Sequence, residues 1–592
     1  MDDDRMVKEL LSGNEAVARG AYEAGVVLGT GYPGTPSSEI LESLSALPGV
    51  RAQWCANEKV ALEVASGAAW TGARALVTMK HVGLNVAADP LFTLAYTGVR
   101  GGLVIAVADD PGLQSSQNEQ DSRHYARAAK LPLLEPSDSQ EARDFTLLAF
   151  RLSEEFDLPV LLRLTTRVSH SRCLVKAGKR RAPKGVPVLV KDAPKQVMIP
   201  AYARLRHVRL EEKLRALARR SETMPINRVE KGKGTLKIIT SGISYQYCRE
   251  VQPGASFLKL GMVYPLPRNK TKNFARGSRK IFVVEELDPF LETEIKSFGL
   301  RVRGKREEYR LGELNPDRVR SLLAGRPEKA SPPSPLPARP PMLCPGCPHR
   351  AVFTVIKKLK LFAAGDIGCY TLGTLPPLSA LDTCVCMGAG VGQSEGMRLV
   401  LPPEAGRKVV AVIGDSTFVH SGITGLIDIV YNGNGGVVII LDNLTTAMTG
   451  LQGHPGTGIG LAGRPARQVK IEEICRGAGV QRVRVIDPYD LKAMEEFLKE
   501  SLALPDPSVM ITRAPCVLLE WVTRQEVFEI DQSLCRACGL CLKTGCPALS
   551  AGPGEKPIIA QFLCSGCSVC AQICPEEAIR EITDNQGRMA RQ

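Results

Sequence analysis

Eight cysteines near the carboxyl end fall in two matched runs. They are Cys535-x₂-Cys538-x₂-Cys541-x₄-Cys546-Pro547 and Cys564-x₂-Cys567-x₂-Cys570-x₃-Cys574-Pro575. Thiolates at this spacing wrap iron–sulfur clusters, and in the bacterial C-x₂-C-x₂-C-x₃-C-P run the fourth cysteine ligates the other cluster. One [4Fe–4S] site then takes Cys535, Cys538, Cys541 and Cys574. The other takes Cys564, Cys567, Cys570 and Cys546. The extra residue before Cys546 bulges a loop without removing the ligand. Two simple zinc sites account poorly for such runs. The chemistry is one-electron transfer.

A second constellation lies in residues 407–443. An apolar strand, Val409–Ile413, ends at Gly414-Asp415-Ser416, and a helical stretch follows over Ser421–Tyr431. A second apolar strand, Val437–Leu441, ends at Asp442-Asn443. This βαβ pattern puts a carboxylate and a carboxamide at the carboxyl ends of two strands. Oxygen ligands there suit Mg²⁺, which keeps sites for a ligand's phosphates. The crevice beyond the strand ends is where α/β sheets bind ligands. The glycine-rich run 382–396, with Gly388, Gly390 and Gly392 ahead of a helix, suits backbone approach to a diphosphate. The plain alternative is an ordinary βαβ unit with Asp at a turn. Cys344, Cys347, Cys369 and Cys516 could hold a third [4Fe–4S] cluster, a zinc ion, or no metal as two buried thiol pairs. Cys384 and Cys386 take no assignment.

Strands alternating with helices over residues 1–167 imply a parallel sheet covered on both faces. Its strands are expected at Val50–Cys55, Ala75–Met79, Leu103–Ala108 and Val160–Leu164, after a helix over Gly13–Gly29. Ser37 or Ser38 can cap a helix over Glu39–Leu47. Glu58 follows a strand and opens a small-residue helix, where a buried carboxyl can do general-acid work or simply start the helix. Thr35 lies in the turn Gly31–Ser38. Lys80, His81, Arg100 and Arg123 are candidate carboxylate contacts. Residues 168–234 read as a basic connecting segment, and 235–326 as a small α/β domain with no catalytic constellation. The proline-dense stretch 327–342 reads as an extended linker. Residues 343–522 form the domain with Asp415 and Asn443, and 523–592 the cysteine-rich domain. The fold class is multidomain α/β with an iron–sulfur tail.

Bulk properties set limits on the function. A chain of 592 residues, 44% apolar, has material for several cores. No apolar run approaches the roughly 18 residues of a membrane helix. The start MDDDRMVKELL lacks a signal-peptide pattern, so a cytoplasmic protein is expected. There, 18 clustered cysteines mean metal rather than disulfides. Much of the net charge of +14 is local, with 18 Lys and Arg against 5 Asp and Glu between Arg172 and Gly234. A single aromatic residue, Tyr202, interleaves with these charges, too few for a stacking platform, so a solvated segment is expected and not a nucleic-acid platform.

The Gly414-Asp415-Ser416…Asn443 unit resembles the thiamine diphosphate signature, which opens GDG; Ser416 replaces its last glycine. The stretches GYPGTPSSE (31–39), SSQNEQDSRHYA (115–126), CPGCPHR (344–350), GDSTFVHSGI (414–423) and the cysteine-rich tail together resemble the 2-oxoacid:ferredoxin oxidoreductase family. Within it they resemble the large subunit of the enzymes that act on arylpyruvates such as indolepyruvate. The resemblance implies thiamine-type sheets and a bacterial-type 2[4Fe–4S] ferredoxin domain at the end of the chain. It implies that residues 1–167 form a pyrimidine-binding domain, 235–326 a transketolase C-terminal-like one, and 343–522 the thiamine diphosphate and Mg²⁺ domain. Asp415 and Asn443 would coordinate Mg²⁺ with the Thr445 main-chain carbonyl, and Gly388, Gly390, Gly414 and Ser416 would lie along the cofactor. Glu58 would bond the aminopyrimidine, and Thr35 the substrate carboxylate. Cys344, Cys347, Cys369 and Cys516 would hold the cluster nearest the thiamine. The implied activity is CoA-acylating oxidative decarboxylation with ferredoxin as acceptor, in an α₂β₂ assembly with a small β subunit. Two rival readings are a non-redox thiamine decarboxylase or synthase, which leaves the tail cysteines idle, and an iron–sulfur carrier, which leaves the GDS…N unit idle.

Overall fold

The computed structural model describes residues 7–182, 186–278, 280–327, 341–522 and 527–582. Most of the expected linker, residues 328–340, lies outside the described residues. The chain forms two compact units, Met1–Pro333 and Ser334–Gln592. Among the described residues no helix is long and apolar enough to cross a membrane.

In the first unit, β1 (Val7–Ser12) pairs antiparallel with β8 (Arg172–Ala177). The main sheet has β2 (Leu28–Gly31), β3 (Arg51–Trp54), β4 (Ala75–Lys80), β5 (Leu103–Asp109), β6 (Leu133–Leu134) and β7 (Val160–Thr165). These six strands are parallel. β4, β5 and β7 are buried along their whole length, which is why they read as near-continuous apolar runs. A four-stranded sheet follows, in the order β13-β10-β11-β9. It contains β9 (Arg228–Glu230), β10 (Lys237–Ser241), β11 (Ser256–Leu260) and β13 (Ile281–Val284). Between its strands, β12 (Met262–Tyr264) leaves to pair antiparallel with β6 and completes the first sheet's edge. The stretch 235–326 is thus stitched into its neighbour.

Three local expectations are corrected. The first helix stops at Glu23, and Leu28–Gly31 is a strand, because Gly25 at φ +76° ends the helical path. Neither Ser37 nor Ser38 caps the next helix at Ser38–Ser45. Ser37 Oγ instead donates to the Gly34 carbonyl, and Ser38 Oγ accepts the Gly34 N–H, bracing the turn. The basic segment is not merely solvated. It contains the long helix Pro200–Thr223, which Arg206 and Lys213 tie to Asp157 along with Lys195.

The second unit has a six-stranded parallel sheet in the order β15-β14-β16-β17-β19-β18. Its strands are β14 (Phe362–Gly365), β15 (Thr383–Cys384), β16 (Val409–Gly414), β17 (Gly436–Asp442), β18 (Arg482–Ile486) and β19 (Pro507–Arg513). Alternate side chains feed two cores. Val410, Val412, Ile439 and Met510 face one, and Ala411, Ile413, Ile440 and Val509 the other. The chain leaves β14 on one side to form β15 and returns on the other to form β16. The carboxyl ends of β14 and β16 therefore border a crevice, the usual ligand position of such sheets.

The cysteine-rich tail has two small antiparallel pairs, β20 (Phe528–Ile530) with β23 (Ile579–Glu581) and β21 (Leu549–Ala551) with β22 (Pro557–Ile559). It docks on the sheet of its own unit. Arg350 Nη1 donates to the Thr544 carbonyl at 2.8 Å, Gln572 Nε2 donates to the Tyr489 carbonyl, and Val569 joins the core around Phe353.

Candidate functional site

Asp415 follows β16 directly and is buried, at the start of a helical stretch that runs on to Tyr431. That stretch passes through a single π turn at Phe418–Gly422, a local widening frequent at functional sites. The loop after β17 folds back, so that Leu444 N–H donates to Asp415 Oδ2 at 3.0 Å. This brings Asp415, Asn443 and Thr445 together, all buried. Ser416 joins them through its hydroxyl, which accepts from Thr446 Oγ1 at 3.0 Å.

Two carboxylates crowd this pocket. Asp442 lies beside Asp415. Burial and the Asp415 charge push its carboxyl up to about 6, although Arg513 Nε donates to it at 2.6 Å. Burial alone would raise Asp415 as well, but His454 next to it more than offsets this and holds it low. His454 Nε2 lies 3.1 Å from Asp415 Oδ2 without the alignment of a hydrogen bond. Two buried carboxylates with an unsatisfied imidazole nitrogen at their edge fit a divalent ion between strand ends. His349, buried and held down to about 4 by desolvation, is neutral at pH 7. Its Nε2 stands 3.4 Å from Asn443 Nδ2, which turns Asn443 Oδ1 into the oxygen offered to a metal.

Across the crevice the helix Ala389–Val400 begins at Gly388, whose φ of +85° suits glycine. Gly388 N–H donates to Asp366 Oδ2 at 2.7 Å, just past β14. A Cβ on Gly390 would stand 2.5 Å from the Ala364 carbonyl, so the helix start lies against β14 only because that residue is glycine. The sequence-predicted residues Gly388, Gly390, Gly414, Asp415, Ser416 and Asn443 thus surround one switch-point crevice. A helix N-terminus and a carboxylate-rich pocket at its two sides fit a metal-bound diphosphate.

The thiols are brought together in three groups, and none of the 18 cysteines is in a disulfide. Burial pushes Cys347 up to about 12 and Cys369 up to about 11, and both feel Cys344 and Cys516 next to them. The second group, Cys535, Cys538, Cys541 and Cys574, lines one pocket. The third, Cys546, Cys564, Cys567 and Cys570, lines another, into which Gly346 also reaches. The fourth cysteine of each run therefore sits with the other run. Four convergent sulfurs in an apolar pocket are a donor set that suits iron–sulfur clusters. Cys384 and Cys386 are exposed and stay outside these groups.

In the first unit, Glu58 is buried at the first position of the helix Glu58–Trp70, which Asn57 caps by accepting the Val60 N–H at 2.9 Å. A Cβ on Gly83 would lie 2.4 Å from Glu58 Oε1, so the glycine makes room for the carboxyl. Thr35 sits in its braced turn and its carbonyl accepts from Ser115 Oγ. Lys80 Nζ donates to the Ser115 carbonyl at 2.7 Å, and burial, partly offset by Asp110, brings its ammonium down to about 8. The quoted stretches 31–39 and 115–126 therefore meet at the ends of β2, β4 and β5. His81 Nε2 lies 3.2 Å from the Asn118 carbonyl. Arg100 is occupied at the surface by the Val188 carbonyl.

Arg123 is not available to a substrate. It is fully buried and saturated by Asp121, Glu285 and the carbonyls of Glu286 and Asp288. Sequence reasoning missed Asp366, Tyr370, His349 and His454. His349 lay inside the quoted CPGCPHR stretch, two residues past Cys347, and that adjacency was the available signal. His454 has none, since its meeting with Asp415 depends on a loop return.

Residues 366–512 match the family model "Thiamine pyrophosphate enzyme, C-terminal TPP binding domain". Residues 19–187 match "Pyruvate flavodoxin/ferredoxin oxidoreductase, thiamine diP-bdg". The chain is 44% identical to indolepyruvate oxidoreductase subunit IorA of Archaeoglobus fulgidus, over 98% of each. It is 42% identical to the subunit of that name in Methanothermobacter thermautotrophicus, over 97% of each. A more distant relative in the same organism is 2-oxoglutarate synthase subunit KorA, 28% identical over 46% of this chain and 86% of that one. A likeness that runs the whole length of the IorA subunits, with a thiamine-binding model matched in each unit, shows that the chain belongs to the family of indolepyruvate ferredoxin oxidoreductase α subunits and is an oxidoreductase.

Proposed function

We propose that the chain, with a small β subunit in an α₂β₂ assembly, oxidatively decarboxylates arylpyruvates, indolepyruvate among them, in the cytoplasm. Coenzyme A takes the acyl group, CO₂ leaves, and the electrons go through iron–sulfur clusters to ferredoxin. The observation that carries this reading is the switch-point crevice of the second unit, where oxygen donors for a metal diphosphate and a cluster of thiols are built from the same loops.

Bound thiamine diphosphate supplies a nucleophilic carbon and an electron sink for loss of CO₂. Asp415, Asn443 and the Thr445 carbonyl hold Mg²⁺, and the Gly388–Gly390 helix start, with Gly414 and Ser416, receives the diphosphate. Glu58 holds a proton at the aminopyrimidine from a buried position. Thr35 and Lys80 orient the substrate carboxylate, Lys80 as the cation within reach of that loop. The thiols at Cys344, Cys347, Cys369 and Cys516 hold the cluster nearest the cofactor. The tail sets built on Cys535 and Cys564 hold two more, with electrons leaving from a 2[4Fe–4S] ferredoxin domain at 523–592. The matched family models over 19–187 and 366–512 support the division into a pyrimidine domain at 1–167 and a diphosphate domain at 343–522.

The test is anaerobic reduction of a viologen dye by indolepyruvate, using the reconstituted assembly with and without thiamine diphosphate and coenzyme A. Reduction that needs both supports the reading. Release of CO₂ without dye reduction would turn it into a non-redox decarboxylase. Dye reduction indifferent to thiamine would leave only an electron carrier.

A further inference from the structure

We propose that His349 couples the Cys344/Cys347/Cys369/Cys516 thiol set to the metal–diphosphate crevice, so that the redox state of one and the occupancy of the other change each other's energetics. The proposal rests on the reading above of what these two sites hold.

Three of the four cysteines are bonded into the crevice through their own neighbours. The His349 backbone N–H lies beside the Cys347 sulfur and favours its charged form, and the same residue's imidazole meets Asn443 Nδ2 at 3.4 Å. The Cys516 N–H donates to the Asn443 carbonyl at 3.0 Å. Next to Cys369, Tyr370 packs edge-on against His349, with ring centroids 5.9 Å apart, and its hydroxyl donates to Asp366. Asp366 in turn accepts the Gly388 N–H that starts the helix facing the diphosphate. His349 and Tyr370 are both buried, so the contacts form one packed network. His349 lies against a thiol, an expected Mg²⁺ ligand and the aromatic ring that leads to Gly388.

The physics of such an arrangement is reciprocal. One electron added to the thiol-held site raises the negative charge on its sulfurs and strengthens their attraction for the His349 N–H. That pulls on the residue that sets the rotation of the Asn443 carboxamide, and hence the aim of its Oδ1. By linkage, a cofactor that fixes Asn443 must alter the ease of that reduction by the same factor. His349 acts here as a positioning residue.

The experiment measures Mg²⁺–thiamine diphosphate binding by calorimetry to the iron-loaded full chain, once oxidised and once reduced with dithionite. Iron is counted in every sample. In the wild type the two dissociation constants should differ by about 5- to 100-fold, the usual range of coupling between sites. In His349→Ala the ratio should fall to within twofold, at unchanged iron content. Cys344→Ser should lose the ratio while keeping the tail iron. Equal constants in the wild type at full iron content overturn the coupling, whatever the variants do. A ratio that survives in His349→Ala overturns the role of His349. Iron equal to only two clusters, about 8 atoms, or no cofactor binding in either state, overturns the coupling together with the site assignments beneath it.

Discussion

Asp366 accepts the Gly388 N–H at 2.7 Å, fixing the start of the helix that faces the diphosphate crevice. Burial pushes this carboxyl up to about 7, and its bonds from Tyr370 and Gly388 only partly offset that. A folded-state value above the unfolded one means that the contribution is fully present below pH 4 and is lost as the pH climbs toward 7. Asp366→Asn keeps an acceptor for Gly388 and removes the titration. Its melting temperature should therefore gain on the wild type between pH 4 and 7, by an amount equivalent to about 2 to 4 kcal/mol. A constant difference across that range would show that Asp366 is not the titrating group.

Asp415→Asn separates stability from binding. The substitution removes the charge that helps raise Asp442 to about 6, so it relieves repulsion above that pH. The cofactor-free variant should melt slightly higher than the wild type at pH 8. Calorimetry should show its affinity for Mg²⁺–thiamine diphosphate reduced at least ~100-fold, about 2.7 kcal/mol, with tail iron unchanged.

The crossed thiol groups predict which cysteines fail together. Cys535→Ala and Cys574→Ala should each deplete the same cluster, about 4 iron atoms, despite their distance in sequence. Cys546→Ala should deplete the site of Cys564 instead. Iron analysis with electron paramagnetic resonance of the reduced protein reads this directly. Cys546→Ala and Cys535→Ala losing one and the same signal would contradict the pocket linings.

Arg123→Met should act on folding. Its guanidinium neutralises buried Asp121 and Glu285, and removing one partner of such a pair costs about 3 to 5 kcal/mol. The melting temperature should fall sharply, while the folded fraction keeps its KM for the 2-oxoacid. A raised KM with normal melting would restore Arg123 as a substrate contact.

Gly83→Ala probes Glu58 without touching it. The new methyl would stand 2.4 Å from Glu58 Oε1 and must displace the carboxyl. A displacement of about 1 Å costs on the order of 100-fold in rate. The expected result is a kcat loss of that order with KM and cofactor affinity little changed.

The cysteine runs, the Gly414-Asp415…Asn443 unit and the parallel sheets were legible because each is a local pattern. Ligand spacing, strand-end chemistry and apolar runs all survive in one dimension. What escaped depends on chain return. β12 joins a sheet whose other strands all end before Thr166, far back in the chain, and its three residues carry no distinctive pattern. Arg123 reads as a candidate carboxylate contact until Glu285 arrives from another sheet. His454 meets Asp415 only through the irregular loop after β17, and His349 meets Asn443 across 94 positions. Long-range polar contacts of this kind leave no periodic trace for a sequence to show.

The exchange of last ligands between the two tail runs has a consequence for biosynthesis. The nest around Cys535 stays a donor short until translation has reached Cys574, whereas the nest around Cys564 takes its remaining donor, Cys546, from the run already made. A ribosome stalled ahead of Cys564 would release a protein with neither nest complete. Both nests are thus completed within one short stretch of chain, between Cys564 and Cys574.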